Sequence, residues 1–218
     1  MRRDHSRWHA TFAILVAVLL YALLPPRYTI GPVWVAPALV LLVLVPVIFM
    51  RARQSQTMLQ RAASIGLIAI VNFFNAVSVV LLVRALLTPT HGQSGVELLT
   101  AGSQIWLTNV LVFALWYWEL DADGPVPRSQ SPSARECRNA DFLFPQMNAD
   151  PTRSPWCPLD WKPQFVDYLY LAFTNATAFS PTDVMPLTAM AKMLMLIESL
   201  ISLVTLALIL ARSVNTIT

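Results

Sequence analysis

The twenty residues from Asp167 to Pro186 constrain the fold of this chain more than any other stretch. The apolar, aromatic-rich residues 164–178 would make about 21 Å of helix, whereas the hydrocarbon core of a bilayer is about 30 Å thick. Pro181 then prevents the helix from continuing. Because non-helical backbone at membrane depth must be sheltered by protein or line a water-filled cavity, the pattern predicts a re-entrant segment that dips into the bilayer and returns.

The composition indicates that lipid surrounds most of the chain. Hydrophobic residues make up 56% of it and charged residues only 12%, whereas about a quarter of the residues of a soluble domain are charged. The net charge of +3 is small, and Lys and Arg cluster beside apolar segments, which is typical of topology anchors. We therefore expect a multi-pass protein of the cell (inner) membrane whose partner is the lipid bilayer, and no nucleic-acid partner.

Five long apolar segments are separated by polar ones. The predicted fold class is an all-α membrane protein with about four transmembrane helices, a polar loop, a re-entrant pore-type helix and a final transmembrane helix. This divides the chain into three parts: N-terminal transmembrane helices at 1–118, an extramembrane polar loop at 119–163, and a helix, turn and helix unit at 164–218. The predicted spanning segments are 8–24, 30–50, 62–87, 98–118 and 186–214.

The polar loop carries both cysteines, Cys137 and Cys157. They would form a disulfide in an oxidising compartment or remain two free thiols elsewhere, and the sequence leaves both open. Their spacing contains no Cys-x-x-Cys pair, and the three histidines lie far from them, so we predict no metal site and no cofactor. With no cluster of catalytic side chains, an enzyme is not expected.

A polar stripe runs along the closing apolar segment. Glu198, Ser202 and Thr205 recur at steps of three and four residues and so share one face of a helix. An ionisable group near the middle of a span costs several kcal/mol unless it is paired, protonated or hydrated. Glu198 therefore either lines a cavity or joins helices through hydrogen bonds, with Gln104 or Asn109 as the expected partners.

The turn between the short helix and the closing helix is the second candidate site. Its residues form the predicted ion pathway together with Glu198, Ser202 and Thr205, and Asp183 is a candidate N-cap for the closing helix. The alternative is an ordinary helix, loop and helix buried in a bundle. The turn residues are Thr177, Ala178, Phe179, Ser180, Pro181, Thr182 and Asp183.

Residues 168–215 resemble the pore region of tetrameric potassium channels, especially small bacterial ones. Asp183, Pro186, Ala211 and Arg212 match the residues that follow the filter and that end the inner helix in that family, and Tyr170, Phe173 and Thr177 match its pore helix. The chain also resembles a group of uncharacterised bacterial membrane proteins that share Tyr-Trp-Glu-Leu-Asp at 117–121 and residues 174–183. The resemblance implies a homotetramer and monovalent cations as the permeant species.

The filter itself departs from the family pattern. Residues 178–182 are Ala-Phe-Ser-Pro-Thr where the channels have Thr-Val-Gly-Tyr-Gly, so both glycines that let the carbonyl ring form are missing. The resemblance thus implies an ion channel of altered or non-potassium selectivity. The alternative is a non-conducting membrane scaffold or partner subunit built on the channel architecture.

The helix, turn and helix unit at 164–218, which we name the pore unit, could enter the membrane from either side. Lys and Arg near membrane ends favour a cytoplasmic N-terminus, and four complete spans would then place residues 119–163 in the cytoplasm as well. Potassium channels carry the corresponding loop outside. Either one of the first two segments does not span, or the pore unit is inverted.

Overall fold

The structure is a computed structural model, and it describes residues 5–51, 58–87, 94–134, 139–149, 159–177 and 183–217. Almost all regular structure in these residues is helical. The helices are α1 (His5–Ala22), α2 (Val35–Arg51), α3 (Met58–Leu87), α4 (Gly95–Leu120), α5 (Pro125–Gln130), α6 (Pro145–Asn148), α7 (Phe165–Thr177) and α8 (Ala189–Ile217). Two-residue strands, β1 (Phe142–Leu143) and β2 (Met185–Pro186), form one antiparallel pair, and 3₁₀ turns occupy Pro26–Tyr28 and Asp121–Asp123.

Three of the described helices are long and apolar enough to cross a membrane, so the predicted all-α membrane class is confirmed at this level. They are Met58–Leu87, Gly95–Asp123 and Ala189–Ala211, which correspond to α3, to α4 with the turn after it, and to most of α8, and their apolar stretches have mean hydropathies of 2.4, 1.5 and 2.5. The predicted segments coincide with α1 to α4, α7 and α8, with ends displaced by a few residues. α7 has 13 residues, or about 20 Å of helix, as expected for a segment too short to span.

The chain forms two compact units, which we name the helical unit and the loop unit. The helical unit comprises residues 12–112 and 200–218. Its core joins the last turn of α1, the start of α2, and the facing ends of α3 and α4, with Tyr28 and Ile105 fully buried. The members of this core are Tyr21, Leu24, Tyr28, Ala36, Phe74, Leu82, Leu98, Ala101 and Ile105.

Within the helical unit, α4 and the last part of α8 run antiparallel. Asn109 of α4 bonds to Ser202 of α8, whereas Gly102, two turns earlier in α4, lies against Ile209, two turns later in α8. A Cβ added to Gly102 would come within 2.7 Å of Ile209 Cγ1. The glycine is therefore required by the close approach of the two helices.

The loop unit comprises residues 1–11 and 113–199. Its centre is a cluster of aromatic rings around Tyr168 of α7, which is fully buried. Trp118, Phe142 and Phe144 meet the Tyr168 ring edge to face, with centroids 5.6, 6.4 and 5.3 Å away. Such pairs favour the edge-to-face arrangement, so the cluster fixes α7 against α4 and β1.

A buried ion pair lies beside this cluster, at the end of α4. Arg128 Nη1 lies 3.9 Å from Asp121 Oδ2, and both side chains are at most 3% exposed. The Arg128 guanidinium also donates to the carbonyls of Asp121 and Trp118 at 2.6 and 3.1 Å and stacks on the Trp118 ring. Asp121 accepts from the main-chain N–H groups of Asp141 and Phe142 and from the Tyr168 hydroxyl. Every charge in this cluster is therefore matched by hydrogen bonds.

The start of α8 is joined to the polar loop. The Asp141 carbonyl accepts from the N–H of Leu187 at 2.8 Å, and the Asp141 carboxylate accepts from the Thr188 hydroxyl at 2.5 Å. Thr188 Oγ1 in turn accepts from the N–H of Ala191, as an N-cap does. The prediction that Asp183 caps this helix is therefore wrong, because α8 begins only at Ala189, after the chain has paired with β1.

Candidate functional site

Glu198 is the centre of a buried polar site in the loop unit. Its side chain is 0% exposed. The Tyr117 hydroxyl of α4 donates to Glu198 Oε2 at 2.5 Å, and the Asn175 amide of α7 donates to the same oxygen at 2.6 Å. The carboxyl group therefore joins three helices, α4, α7 and α8, at one point.

Asn175 fixes the end of α7 to α8 by several contacts. Its Nδ2 donates to the main-chain carbonyl of Met195 at 2.9 Å in addition to Glu198. Its Oδ1 accepts from the Ser199 hydroxyl at 3.0 Å. Because both ends of the amide are bonded to α8, the last turn of α7 cannot slide or rotate along that helix without breaking these bonds.

The environment of the carboxyl group determines what it can do. Its partners Tyr117 and Asn175 are neutral, and Oε1 meets no hydrogen-bond partner among the described residues. An ionised carboxylate buried in this way costs several kcal/mol, which the two donors at Oε2 partly offset. The arrangement suits a group that joins helices, or one that takes up a proton or a cation at Oε1.

Ser202 and Thr205, the other two members of the predicted stripe, lie in the helical unit and are also buried, at 0 and 1% exposure. Asn109 Nδ2 donates to Ser202 Oγ at 3.1 Å and its Oδ1 accepts from Asn75 of α3 at 3.5 Å. Thr205 Oγ1 donates to the carbonyl of Ile201, one turn earlier in its own helix. A line of polar groups thus connects α3, α4 and α8 through amide and hydroxyl groups.

Of the predicted turn residues, the structure describes Thr177 and Asp183. Thr177, the last residue of α7, is half-buried and donates to the Thr174 carbonyl at 3.0 Å. Asp183 is exposed. Residues 178–182, the core of the predicted ion pathway, lie outside the described residues. The pathway therefore stays a prediction.

The two flanks of α7 both contact the polar loop. Before α7, the Trp161 carbonyl accepts from the N–H of Ala134 at 3.0 Å, and Lys162 Nζ donates to the Ser129 carbonyl at 2.6 Å. After α7, β2 pairs with β1, with Pro186 opposite Phe142. The chain thus leaves the polar loop before α7 and has returned to it by β2.

The sequence identified Glu198 but not its partners. The sequence predicts Gln104 or Asn109 as the partner of Glu198, whereas Tyr117 and Asn175 bond to it. Asn175 stands among the aromatic residues of a short helix, which marks it as unusual, but no spacing rule connects positions that lie 81 and 23 residues from Glu198. Such contacts follow only from the packing of α4, α7 and α8.

The described residues contain no group of three or more His, Cys, Asp or Glu side chains that would hold a metal ion. The polar groups around Glu198 and Ser202 are hydroxyl and amide groups and one carboxyl group. No family model, curated protein or solved structure matches the chain.

Proposed function

We propose that the chain is the subunit of an oligomeric membrane protein of the pore-loop type, a homotetramer that passes monovalent cations. In this proposal residues 178–183 from several copies surround the pathway. Residues 164–186 form a re-entrant segment, and α8 is the helix that lines or surrounds the inner part of the pore. The resemblance of residues 168–215 to potassium-channel pores is the starting point for this assignment.

One observation carries the proposal, namely the fixed geometry of α7. The chain leaves the polar loop just before this short helix and is beside the loop again at β2, since Trp161 bonds to Ala134 and Pro186 pairs with Phe142. Its last turn is held against α8 by Asn175. In the proposal, a helix of about 20 Å held in this way enters the bilayer and does not cross it, and neighbouring copies shelter the carbonyls at its C-terminus.

The outer face of α8 supports assembly. Only 22% of its apolar stretch is buried within the chain, whereas 61% of the stretch in α4 is buried. Lipid and neighbouring copies would share this uncovered face. Its exposed members are Met190, Met193, Leu196, Ile197, Leu200, Leu203, Val204 and Leu210.

The proposed pathway differs from that of a potassium channel. Without glycines at 178–182, a ring of main-chain carbonyls of the usual form is not expected, so selectivity would come from side chains and from the width of the turn. Asp183 is the exposed acidic residue beside this turn. A ring of four Asp183 carboxylates would attract cations and reject anions.

Ion flux through the purified full-length protein in planar bilayers tests this proposal. We expect cation conductance, and we expect Asp183→Asn to lower it or to reduce the preference for cations over anions. Asp160→Asn is the matched control, because Asp160 is also an exposed carboxylate but lies in the polar loop. Absence of flux across a range of cations, voltages and pH values would count against conduction.

A non-conducting scaffold or partner subunit is the second candidate, and one observation favours it. Glu198, Ser202 and Thr205 are all buried within a single chain, so these polar side chains do not face a pore shared by several copies. Under this alternative the protein would form stable oligomers or complexes without any flux. Stable oligomers in detergent, combined with the absence of ion flux in planar bilayers, would support the scaffold over the channel.

A further inference from the structure

We infer that the polar loop faces the cytoplasm and that residues 164–186 enter the membrane from the cytoplasmic side, so that the pore unit is inverted relative to potassium channels. The inference concerns orientation and does not depend on whether the protein conducts. It follows from which helix ends lie together, combined with the distribution of basic residues along the sequence.

Helix ends meet at one end of the helical unit, which we name the hairpin end. Arg27, in the turn between α1 and α2, forms a 3.0 Å ion pair with Glu97 in the first turn of α4. The core beneath this pair joins Leu24 after α1, Ala36 at the start of α2 and Leu98 of α4. Leu82, in the second half of α3, belongs to the same core.

These contacts make α1 to α4 alternate in direction. α1 and α3 run toward the hairpin end, whereas α2 and α4 run away from it. α1 and α2 therefore extend across the same layer as α3 and α4, which are long enough to span a membrane. At 18 and 17 residues, α1 and α2 are about 26 to 27 Å long, close to the hydrocarbon thickness.

The helix ends remote from the hairpin end are the start of α1, the end of α2, the start of α3 and the end of α4, and we name this set the loop end. Residues 1–11 accordingly belong to the same compact unit as the polar loop. α8 begins beside the polar loop, where Thr188 bonds to Asp141, and within the helical unit it runs antiparallel to α4, since Asn109 bonds to Ser202. It finishes toward the hairpin end, where Ile209 lies against Gly102.

Basic residues are distributed very unequally between the two ends. Three of the 15 Lys and Arg residues adjoin the hairpin end by their position in the sequence, namely Arg27, Arg84 and Arg212. One of these, Arg27, is paired with Glu97. By sequence position alone, the other twelve lie before α1 or in its first turn, lie between α2 and α3 or near their facing ends, or fall between the end of α4 and the end of the first turn of α8: Arg2, Arg3, Arg7, Arg51, Arg53, Arg61, Arg128, Arg135, Arg138, Arg153, Lys162 and Lys192.

This asymmetry fixes the orientation. Cytoplasmic segments carry the excess of Lys and Arg, and the rule applies to loops shorter than about 60 residues, as these are. The loop end is therefore cytoplasmic. The C-terminus after α8 lies outside, and Cys137 and Cys157 are reduced thiols, because disulfides rarely persist in the cytoplasm.

Labelling of single cysteines tests the inference in the full-length protein. In a Cys137→Ser, Cys157→Ser background, Gln130→Cys marks the loop end and Ser94→Cys marks the hairpin end, since both residues are exposed. A membrane-impermeant maleimide added to intact cells should label Ser94→Cys, and should label Gln130→Cys only after the membrane is permeabilised. Labelling of Gln130→Cys in intact cells would overturn the inference.

A C-terminal reporter gives a second, independent readout if a cysteine reacts poorly. Alkaline phosphatase fused after Thr218 should be active, because it folds only outside the cytoplasm, and green fluorescent protein at the same position should stay dark. A fluorescent fusion without phosphatase activity would place the C-terminus inside and contradict the proposed orientation. Neither readout involves ion flux, so this inference and the channel proposal fail separately.

Discussion

The Tyr117 hydroxyl donates a 2.5 Å hydrogen bond to Oε2 of Glu198, which lies 81 residues later in the chain. Asn175 donates to the same oxygen at 2.6 Å. One buried carboxyl group thus holds the short helix α7 between two long apolar helices. The position of α7 depends on this site.

Replacement of Glu198 separates its role as an acceptor from its charge. Glu198→Gln keeps an oxygen that can accept from Tyr117 and Asn175, so we expect the apparent free energy of unfolding to change by less than about 1 kcal/mol. Glu198→Ala leaves both donors buried without an acceptor and should lower it by about 1 to 3 kcal/mol. Thermal unfolding in detergent measures the difference. Equal losses for both variants would show that the charge itself is needed.

Asn175→Asp tests the contacts of the amide with α8. The new carboxylate cannot donate to Glu198 or to the Met195 carbonyl, and at neutral pH it faces the Glu198 oxygens directly. We expect a loss of stability at pH 8 that is partly recovered at pH 5, because a protonated aspartic acid can donate again. Melting curves of this variant and the wild type across this range give the comparison. A loss that does not depend on pH would contradict the interpretation.

The buried pair of Arg128 and Asp121 predicts non-additive losses. Arg128→Met leaves the Asp121 carboxylate without its cation and should destabilise the protein by about 3 to 5 kcal/mol. Adding Asp121→Asn removes the unmatched charge, so the double variant should be more stable than Arg128→Met alone. Unfolding of the four proteins of this double-mutant cycle checks the prediction. Lys162→Met, which removes a more exposed cation, should change stability by less than about 1 kcal/mol.

Gly102 and Gly66 form a matched pair for testing helix packing. Gly102→Ala places a methyl group 2.7 Å from Ile209 Cγ1 and should destabilise the protein. Gly66 has no atom within 4 Å of an added Cβ, so Gly66→Ala should be neutral or stabilising by up to about 1 kcal/mol. Apparent melting temperatures measure both. If Ile209→Ala fails to relieve the effect of Gly102→Ala, the close approach is not its cause.

The sequence predicted the helices well because their signal is local. Hydrophobic length and the breaks at proline placed α1 to α4, α7 and α8 to within a few residues, since lipid exposure imposes apolar side chains over each whole segment. The N-cap of α8 was misplaced at Asp183, because the pairing of Pro186 with Phe142 delays the helix to Ala189. A contact between strands 44 residues apart leaves no mark in the local pattern.

The candidate site was predictable only in part. An acidic residue within an apolar helix is unusual in any sequence, and Glu198 was found for that reason. Its partners could not be predicted. In the sequence, Tyr117 is one residue of an aromatic cluster expected at the membrane surface, and Asn175 is one of several polar residues near the end of α7. The identity of the groups that meet depends on how α4, α7 and α8 pack together.

In the proposed arrangement, residues 164–186 enter the membrane and return to the same side. Gln164, just before α7, and Asp183, just after the turn, are both exposed and can be replaced by single cysteines in the cysteine-free background. Reaction with an impermeant maleimide, compared between intact and permeabilised cells, should show both positions accessible only from the cytoplasmic side. If the two cysteines react from opposite sides, α7 crosses the membrane and the re-entrant interpretation is wrong.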